Sequence, residues 1–324
     1  MSSRSPKSGQ LRLEDAEVLA RIAENYYVLG IRQEEIASQF NISRSYVSRL
    51  LDRARNRGIV EISIRHPVRR EPFMEEQIRR RFGLRECIVM VADNGSAEPL
   101  KLAGEAAADY LCRVIEPDHT LALSWGTGIK SVIEALQSGR ARARHVVQMF
   151  GGLTLPTNDI SGSDLGGRLA RALGASFQYL HAPWLVESAD LAHALKSQPD
   201  VGEALRQAAA ADIAYVGIGA VGTGSSALLF NETYLTQAEL RELKKTRAVG
   251  DICGRVFDAE GHPCPVGFGG RIIGLDLATL KRIPTVAGVA TGAQKGEAIR
   301  AALQGGLVDV LVTDRDGAAA ALRD

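Results

Sequence analysis

The stretch Leu121–Leu136 constrains the fold of this chain more than any other. Leu121–Ser124 is an apolar run of the kind found in buried parallel strands. From Ile129 onward, apolar residues recur at helical spacing, so Trp125–Gly128 must be a tight turn between a strand and a helix. A strand that leads through a short turn into a helix is the building unit of parallel α/β sheets.

The turn itself suits a small ligand. Gly126 and Gly128 have no side chains to block close approach, and Ser124 and Thr127 offer hydroxyl groups. The N-terminus of the following helix adds backbone N–H groups and a partial positive charge. We predict that these four residues cradle an anionic or hydroxyl-rich molecule. The alternative is a glycine-rich turn with nothing bound.

The same alternation of strand and helix runs through most of the chain after Phe73. Apolar runs predict strands at 86–92, 119–125, 145–150, 212–218, 285–290 and 308–313. Helical stripes predict helices at 73–82, 99–116, 128–138, 163–174, 236–245 and 293–304. This order predicts a mostly parallel sheet covered by helices, with ligands at the carboxyl ends of the strands.

The beginning of the chain has a different pattern. It predicts three helices, at 12–29, 33–40 and 44–57, with a turn of a few residues between the last two. Ser43 is placed to cap the third helix. This is a helix-turn-helix pattern. The alternating residues 59–64 predict a strand, which would form one arm of a wing.

The outward-facing residues of the helix-turn-helix suit DNA. Val47 and Leu50 anchor the third helix, which leaves a polar face made of Arg44, Ser45, Tyr46, Ser48, Arg49 and Arg53. Arginine reads guanine edges or binds phosphates, and hydroxyl groups bond phosphate oxygens. We predict that these six residues, with Gln33 and Ser43, contact double-stranded DNA. The alternative is a helical docking domain whose charged face is only solvated.

The charge distribution supports a DNA-binding head. Residues 1–70 hold 13 Lys/Arg against 8 Asp/Glu, a net charge of +5, whereas the whole chain has a net charge of +1 and the remainder therefore carries −4. A basic head on a mildly acidic body indicates that only the head meets a polyanion.

These patterns divide the chain. We predict a disordered tail at 1–10, a DNA-binding domain at 11–64, a proline-containing linker at 65–72 and an α/β effector domain at 73–324. No apolar run reaches the ~18 residues of a membrane span, and Met1–Lys7 lacks the apolar core of a signal peptide. The four widely spaced cysteines fit reduced thiols. We expect a cytoplasmic protein that does not enter a membrane.

Two weaker motifs argue against a cofactor. Gly217–Gly222 matches G-x-G-x-x-G, but the residues that follow do not open a helix at the third glycine and no acid ends a second strand about 20 residues later. Gly126–Ser131 lacks the glycine spacing of a P-loop. His262 lies near Cys264 without further ligands at metal spacing. We expect no cofactor and no metal.

Two further residues bring charge to glycine turns. Asp251 follows Gly250 among apolar residues, where its carboxylate would accept hydrogen bonds from sugar hydroxyls. Lys295 follows a second strand-and-glycine segment, in the first turn of the predicted helix, where its ammonium would meet an anion. An ordinary turn acid and a solvated lysine are the alternatives.

Over nearly its whole length, the chain resembles the SorC family of sugar-binding bacterial transcriptional regulators. Five segments carry the likeness: the helix-turn-helix through Ile64, Ser124-Trp-Gly-Thr-Gly128, Val147-Gln-Met-Phe-Gly-Gly152, Gly250–Asp258, and Val286–Asp314 with its Lys295. The resemblance implies a DNA-binding domain and an effector domain similar in fold to sugar-phosphate isomerases and glucosamine-phosphate deaminases. It also implies homo-oligomers, dimers or commonly tetramers.

The resemblance also implies roles in the effector site. Ser124, Gly126, Thr127 and Gly128 would line a phosphate or hydroxyl cradle, Gly151 and Gly152 would form an adjacent loop, Asp251 would meet the sugar, and Lys295 would close on an anionic end. The lysine turn reads Ala-Thr-Gly-Ala-Gln-Lys, whereas the family more often has a Gly-Gly pair before its lysine. The presence of a phosphate on the ligand is therefore left open.

We predict a non-enzymatic regulator of a carbohydrate or polyol catabolic operon. A sugar, sugar phosphate or polyol would bind the C-terminal domain and control the affinity for operator DNA. One alternative is an enzyme like the sugar-phosphate isomerases or deaminases with an added DNA-binding head, although the sequence shows no Glu or His partner for Asp251 at a convincing spacing. Another is a DNA-binding protein whose body only oligomerises.

Overall fold

In a computed structural model, the chain divides into two compact units, Met1–Pro67 and Val68–Asp324. The structure describes residues 15–60, 69–92, 98–153 and 162–323. The predicted tail and the residues 61–68, which include parts of the predicted wing strand and linker, lie outside the described residues. Within those described ranges, no helix combines the length and the apolar character needed to cross a lipid bilayer.

The first unit is helical. Its helices are α1 (Ala16–Tyr27), α2 (Gln33–Phe40) and α3 (Arg44–Asn56). Their apolar faces meet in one small core built from Leu19, Ile22, Ala23, Ile36, Ala37, Val47, Leu50, Leu51 and Ala54. The three helices agree with the sequence prediction because each has a well-marked apolar stripe.

The end of α3 differs from the prediction of a strand at 59–64. The N–H groups of Ile59 and Val60 bond back to the carbonyl oxygen of Ala54, at 2.9 and 3.2 Å. Gly58, with a φ of 68°, allows the chain to fold back in this way. Ile59 and Val60 therefore complete the C-terminal cap of α3, and their apolar side chains pack against the helical core.

The second unit is an α/β domain. Its strands are β1 (Glu86–Met90), β2 (Thr120–Leu123), β3 (His145–Gln148), β4 (Ser176–Gln178), β5 (Ile213–Gly217), β6 (Gly219–Ala220), β7 (Gly250–Ile252), β8 (Arg255–Phe257), β9 (Thr285–Val289) and β10 (Val310–Asp314). Its helices are α4 (Pro72–Phe82), α5 (Pro99–Val114), α6 (Thr127–Ala135), α7 (Gly162–Leu173), α8 (Ala189–Lys196), α9 (Pro199–Ala209), α10 (Gln237–Lys245), α11 (Leu277–Leu280), α12 (Gly296–Gln304) and α13 (Arg315–Leu322).

Seven of these strands form one parallel sheet, in the order β1-β10-β9-β5-β2-β3-β4. The sheet is buried on both faces. Along β2, Leu121 and Leu123 join one apolar cluster and Ala122 joins the other. This double burial explains why the strands appear in the sequence as continuous apolar runs rather than as alternating patterns.

Several elements were not predicted from the sequence. These are β4, α8, α9, α13 and a separate antiparallel sheet of β6, β7 and β8. The predicted helix at 293–304 is a 3-10 turn, Ala293–Lys295, followed by α12. The predicted linker also differs, because Arg70 bridges Met90 at the edge of β1 and Pro72 already begins α4.

Candidate functional site

The helix-turn-helix is held by local contacts between α2 and α3. Asn41 ends α2 in the left-handed conformation, with a φ of 52°. Ser43 caps α3, because its side chain accepts a hydrogen bond from the N–H of Tyr46 at 3.2 Å. Val47 and Leu50 are buried against α1 and α2. These contacts fix which face of α3 is left outside.

The predicted DNA-binding residues lie on that outer face. Ser43, Arg44, Ser45, Ser48 and Arg49 are exposed, whereas Gln33, Tyr46 and Arg53 are half-buried.

Contacts among these side chains order the exposed face. The guanidinium of Arg49 lies 5.1 Å from the ring centroid of Tyr46, and Arg44 forms an ion pair with Glu34 at 3.0 Å. Helix α3 carries four arginines and one aspartate, so its exposed surface is basic. A basic helix with hydroxyl groups in its first turn has the chemistry needed for a duplex backbone and its base edges.

In the α/β unit, a cavity lies where β2 and β5 are neighbours. The chain continues from β2 toward one edge of the sheet, whereas β9 and β10 lie on the other side of β5. In open α/β sheets such a switch in strand order leaves a crevice at the carboxyl ends of the strands. The cavity is lined by Ser124, Trp125, Gly126, Thr127, Gly128, Gly217, Ile218, Gly219, Ser225, Ser226, Asp251, Cys253, Val289 and Lys295.

The first wall is the glycine turn between β2 and α6. Gly126 has a φ of 106°, which favours glycine, and α6 begins at Thr127. The side-chain oxygen of Ser124 accepts a hydrogen bond from the N–H of Gly217 at 3.2 Å, which ties this turn to the end of β5. Thr127 Oγ1 lies 3.4 Å from Ser225 Oγ across the cavity.

The second wall is the hairpin of β7 and β8, which carries Asp251. This carboxylate is 4% exposed. Ser226 donates a hydrogen bond to Oδ1, and the N–H of Gly254 donates one to Oδ2 at 3.1 Å. Burial raises the pKa of Asp251, and the bonds from Ser226 and Gly254 and the charge of Lys295 act in the opposite direction. Each oxygen keeps lone-pair capacity for a sugar hydroxyl.

Lys295 lies at the end of the 3-10 turn before α12. Burial lowers the pKa of its ammonium, and the carboxylates of Asp251 and Asp314 partly counter this effect. The cavity therefore combines one carboxylate, one amine and several hydroxyl groups with apolar contacts from Trp125, Ile218 and Val289. Such a lining matches a small polyhydroxylated molecule with or without an anionic group.

Comparisons with known proteins agree with this arrangement. Residues 67–323 match the Sugar-bind domain family. The transcriptional regulator LsrR of Escherichia coli (strain K12) is 35% identical over 312 residues, which cover 95% of both chains. The full-length sorbitol operon regulator SorC from Klebsiella pneumoniae has a similar structure, with a TM-score of 0.74 and 27% identity over 95% of this chain and 99% of that one.

The chain belongs to the SorC family of sugar-binding transcriptional regulators. A DeoR-family transcriptional regulator from Listeria monocytogenes is also similar, with a TM-score of 0.69 and 30% identity over 78% of this chain and 99% of that one.

Within this SorC-family chain, two of the predicted effector residues lie away from the cavity. Gly151 and Gly152 are not among its lining residues. Instead the N–H of Gly152 donates to Ala182 at 2.8 Å, and a Cβ on Gly151 would lie 2.5 Å from the carbonyl oxygen of Pro183. The glycines allow two backbone segments to pack closely beside Phe150, whose ring stacks on Trp125 of the cavity wall at 6.1 Å.

Sequence reasoning missed part of the lining. Ser225 and Ser226 lie in a short 3-10 segment, Gly224–Leu228, that has no periodic pattern. Gly217 and Gly219 belong to the motif that we had considered as a dinucleotide site, and they line the effector cavity instead. The glycine spacing was thus a usable signal for a ligand site, although not for a nucleotide.

Proposed function

We propose that this protein regulates a carbohydrate or polyol catabolic operon by binding operator DNA under the control of a small effector. The observation that carries this proposal is the convergence of six predicted residues, Ser124, Gly126, Thr127, Gly128, Asp251 and Lys295, on one cavity. The same chain presents a basic helix-turn-helix in its other unit. The effector is a sugar, sugar phosphate or polyol, and the protein acts in the cytoplasm, where the operator lies.

The size of the cavity supports a ligand-driven change. Its volume is about 30 Å³, which is too small for a sugar. A ligand that enters must therefore separate the lining segments, including the contact between Thr127 and Ser225. We propose that this opening favours one arrangement of a homo-oligomer, a dimer or a tetramer. It thereby changes the spacing of paired recognition helices on DNA.

A thermal-shift screen against sugars, polyols and their phosphates tests the effector site. A compound at ~100 times its dissociation constant should stabilise the fold by roughly 2.7 kcal/mol. Thr127→Ala and Asp251→Ala should both lose the shift, whereas Thr233→Ala, at an exposed position outside the cavity, should keep it. No shift with any compound would favour a DNA-binding oligomer without a small-molecule signal.

An enzymatic function is the second candidate, because the cavity brings Asp251 and Lys295 together. A carboxyl group and an amine are a possible acid–base pair for isomerisation of a sugar phosphate. Incubation with fructose 6-phosphate or glucosamine 6-phosphate, followed by product analysis, tests it. Turnover that disappears in Asp251→Asn would favour an enzyme. Binding without turnover, together with a change in DNA affinity, would favour the regulator that we propose.

A further inference from the structure

The loops that follow β9 and β10 lie side by side. These strands are parallel neighbours, so their carboxyl ends meet at the same edge of the sheet. The first loop turns at Gly292, with a φ of 96°, and leads to Lys295. The second loop is almost absent, because Asp314 both ends β10 and caps α13.

One carboxylate oxygen connects the two loops. Asp314 Oδ1 accepts a hydrogen bond from the N–H of Gly292 at 2.8 Å and another from the N–H of Gly317 at 3.0 Å. The first bond holds the turn that carries Lys295, and the second caps α13. Asp314 is only 5% exposed, so water does not compete strongly for these bonds.

Close packing supports this connection. A Cβ on Gly296, the residue after Lys295, would lie 2.2 Å from the Cβ of Ala320 in α13. The lysine turn therefore sits directly against α13 and has little room to shift. Asp314 fixes the start of α13, and α13 in turn supports the turn.

The charges around Lys295 give Asp314 a second effect. Asp251 and Asp314 are the two carboxylates that favour the charged form of Lys295 and oppose the lowering of its pKa by burial. On the helices packed against this turn, the nearby charged residues Glu297, Arg315 and Asp316 are exposed, so solvent screens them. Asp251 faces the cavity, whereas Asp314 lies in the framework behind the turn.

We propose that Asp314 is a positioning residue of the effector site: its carboxylate fixes the turn that carries Lys295 and holds a negative charge behind the Lys295 ammonium. This proposal rests on the proposed function, in which Lys295 meets the anionic end of the effector. It assigns a ligand-recognition role to a residue that does not line the cavity.

The charge effect can be tested without any ligand. The full-length protein is labelled with traces of acetic anhydride at increasing pH, and the acetylation of each lysine is measured by mass spectrometry. Asp314→Asn keeps an acceptor oxygen for both N–H groups and removes the charge. We expect the labelling curve of Lys295 to move to lower pH in this variant. Asp276→Asn is the matched control, because Asp276 caps α11 through Thr279 at 2.7 Å and should leave the Lys295 curve in place.

The positioning effect needs a second variant. Asp314→Ala removes the acceptor oxygen as well as the charge, so amide hydrogen exchange at 290–296 should become faster than in the wild type. Asp314→Asn should keep the slow exchange. An unshifted Lys295 curve in Asp314→Asn, or unchanged exchange in Asp314→Ala, would overturn the proposal.

Titration with glucose 6-phosphate and glucose, followed by the fluorescence of Trp125 and Trp184, separates this proposal from the function on which it rests. Weaker binding of the phosphate in Asp314→Asn, with the loss increasing at alkaline pH, would support both. A shifted labelling curve in a protein whose wild type binds neither probe would support the positioning role of Asp314 and count against these two compounds as effectors.

Discussion

Gly219 leaves the space in which Ser226 meets Asp251. A Cβ at this position would lie 1.9 Å from Ser226 Oγ and 2.1 Å from Asp251 Oδ1. Neither atom can move away easily, because both belong to a buried hydrogen bond. At the scale of single residues, the orientation of the cavity carboxylate therefore depends on the absence of one side chain.

Gly219→Ala should weaken effector binding at least about tenfold, because the methyl group displaces the carboxylate that accepts the sugar hydroxyls. Calorimetric titration with a compound found in the thermal-shift screen measures this loss. Gly167→Ala is the control, because its Cβ would meet no atom closer than 3.7 Å in α7, and it should bind normally. Equal affinities for the two variants would contradict the role given to Gly219.

Asp251 should make the stability of the protein depend on pH. Its pKa is raised by burial above the ordinary value of 3.8, so the folded state binds this proton more tightly than the unfolded state. The contribution to stability is therefore full below pH 3.8 and is lost as pH rises through the folded-state pKa.

In Asp251→Asn this component of the pH dependence should disappear. Urea denaturation at several pH values between about 4 and 7 would then give a flatter or rising curve relative to the wild type. The test concerns the slope and not the absolute stability, because the substitution also removes a charge that favours the Lys295 ammonium. Parallel curves for the two proteins would show that the raised pKa is wrong.

At the scale of elements, Arg255 attaches the β7–β8 hairpin to the chain that precedes α11. Its guanidinium donates to four carbonyl oxygens, those of Gly269, Ile272, Gly274 and Leu275, at 2.7 to 3.4 Å. Burial lowers the pKa of this guanidinium. The hairpin carries Asp251 and Cys253, so Arg255 determines where one wall of the cavity lies.

Arg255→Met should lower the free energy of unfolding by about 2–4 kcal/mol, because it removes the donor from several buried carbonyl groups. Chemical denaturation measures the change. Arg113→Met is the comparison: Arg113 pairs with Glu86, its side chain is 57% exposed, and its loss should cost less than about 1 kcal/mol. Similar costs for the two variants would mean that Arg255 is not the main attachment of the hairpin.

The recognition helix can be tested separately. Arg49→Ala should reduce operator affinity about tenfold and lower the slope of log affinity against log salt by about one if Arg49 contacts a phosphate. The melting temperature should hardly change, because Arg49 is exposed. Arg21→Ala removes the same charge from an exposed position on α1 and should leave the affinity nearly intact. Equal losses in the two variants would indicate only a general effect of charge.

At the scale of the whole molecule, the effector and the operator bind to different units of one chain. If they are coupled, the factor by which the effector changes operator affinity must equal the factor by which the operator changes effector affinity. For this kind of coupling we expect factors of about 5 to 150. The volume of the cavity makes an uncoupled site unexpected, since ligand entry requires its lining to move.

Two titrations measure this coupling: effector binding with and without operator DNA, and operator binding with and without effector. Sedimentation of the same samples reports the oligomeric state. Equal coupling factors at a constant oligomeric state would support a rearrangement within the assembly, whereas a change in sedimentation would indicate control through association. Two factors of one would exclude effector control of DNA binding.

The sequence by itself determined the elements with strong periodicity. The helices of the first unit and most strands of the parallel sheet were predictable, because burial on one stripe or on both faces leaves a local apolar pattern. The glycine turn Ser124–Gly128 was also readable, because close approach of a backbone to a ligand requires particular residues at adjacent positions.

Only the tertiary structure decided which loops share the cavity. Ser226 and Asp251 are 25 residues apart, and Thr127 and Ser225 are 98 residues apart. Their contacts follow from the strand order, in which β2 and β5 are neighbours, and strand order leaves no local trace in a sequence. The same reason explains why Gly151 and Gly152 were placed at the cavity: their glycine pair predicts close backbone approach, but the approaching partner is the chain at 182–184. Local chemistry thus identified residues suited to a ligand, and long-range packing selected those that meet around one.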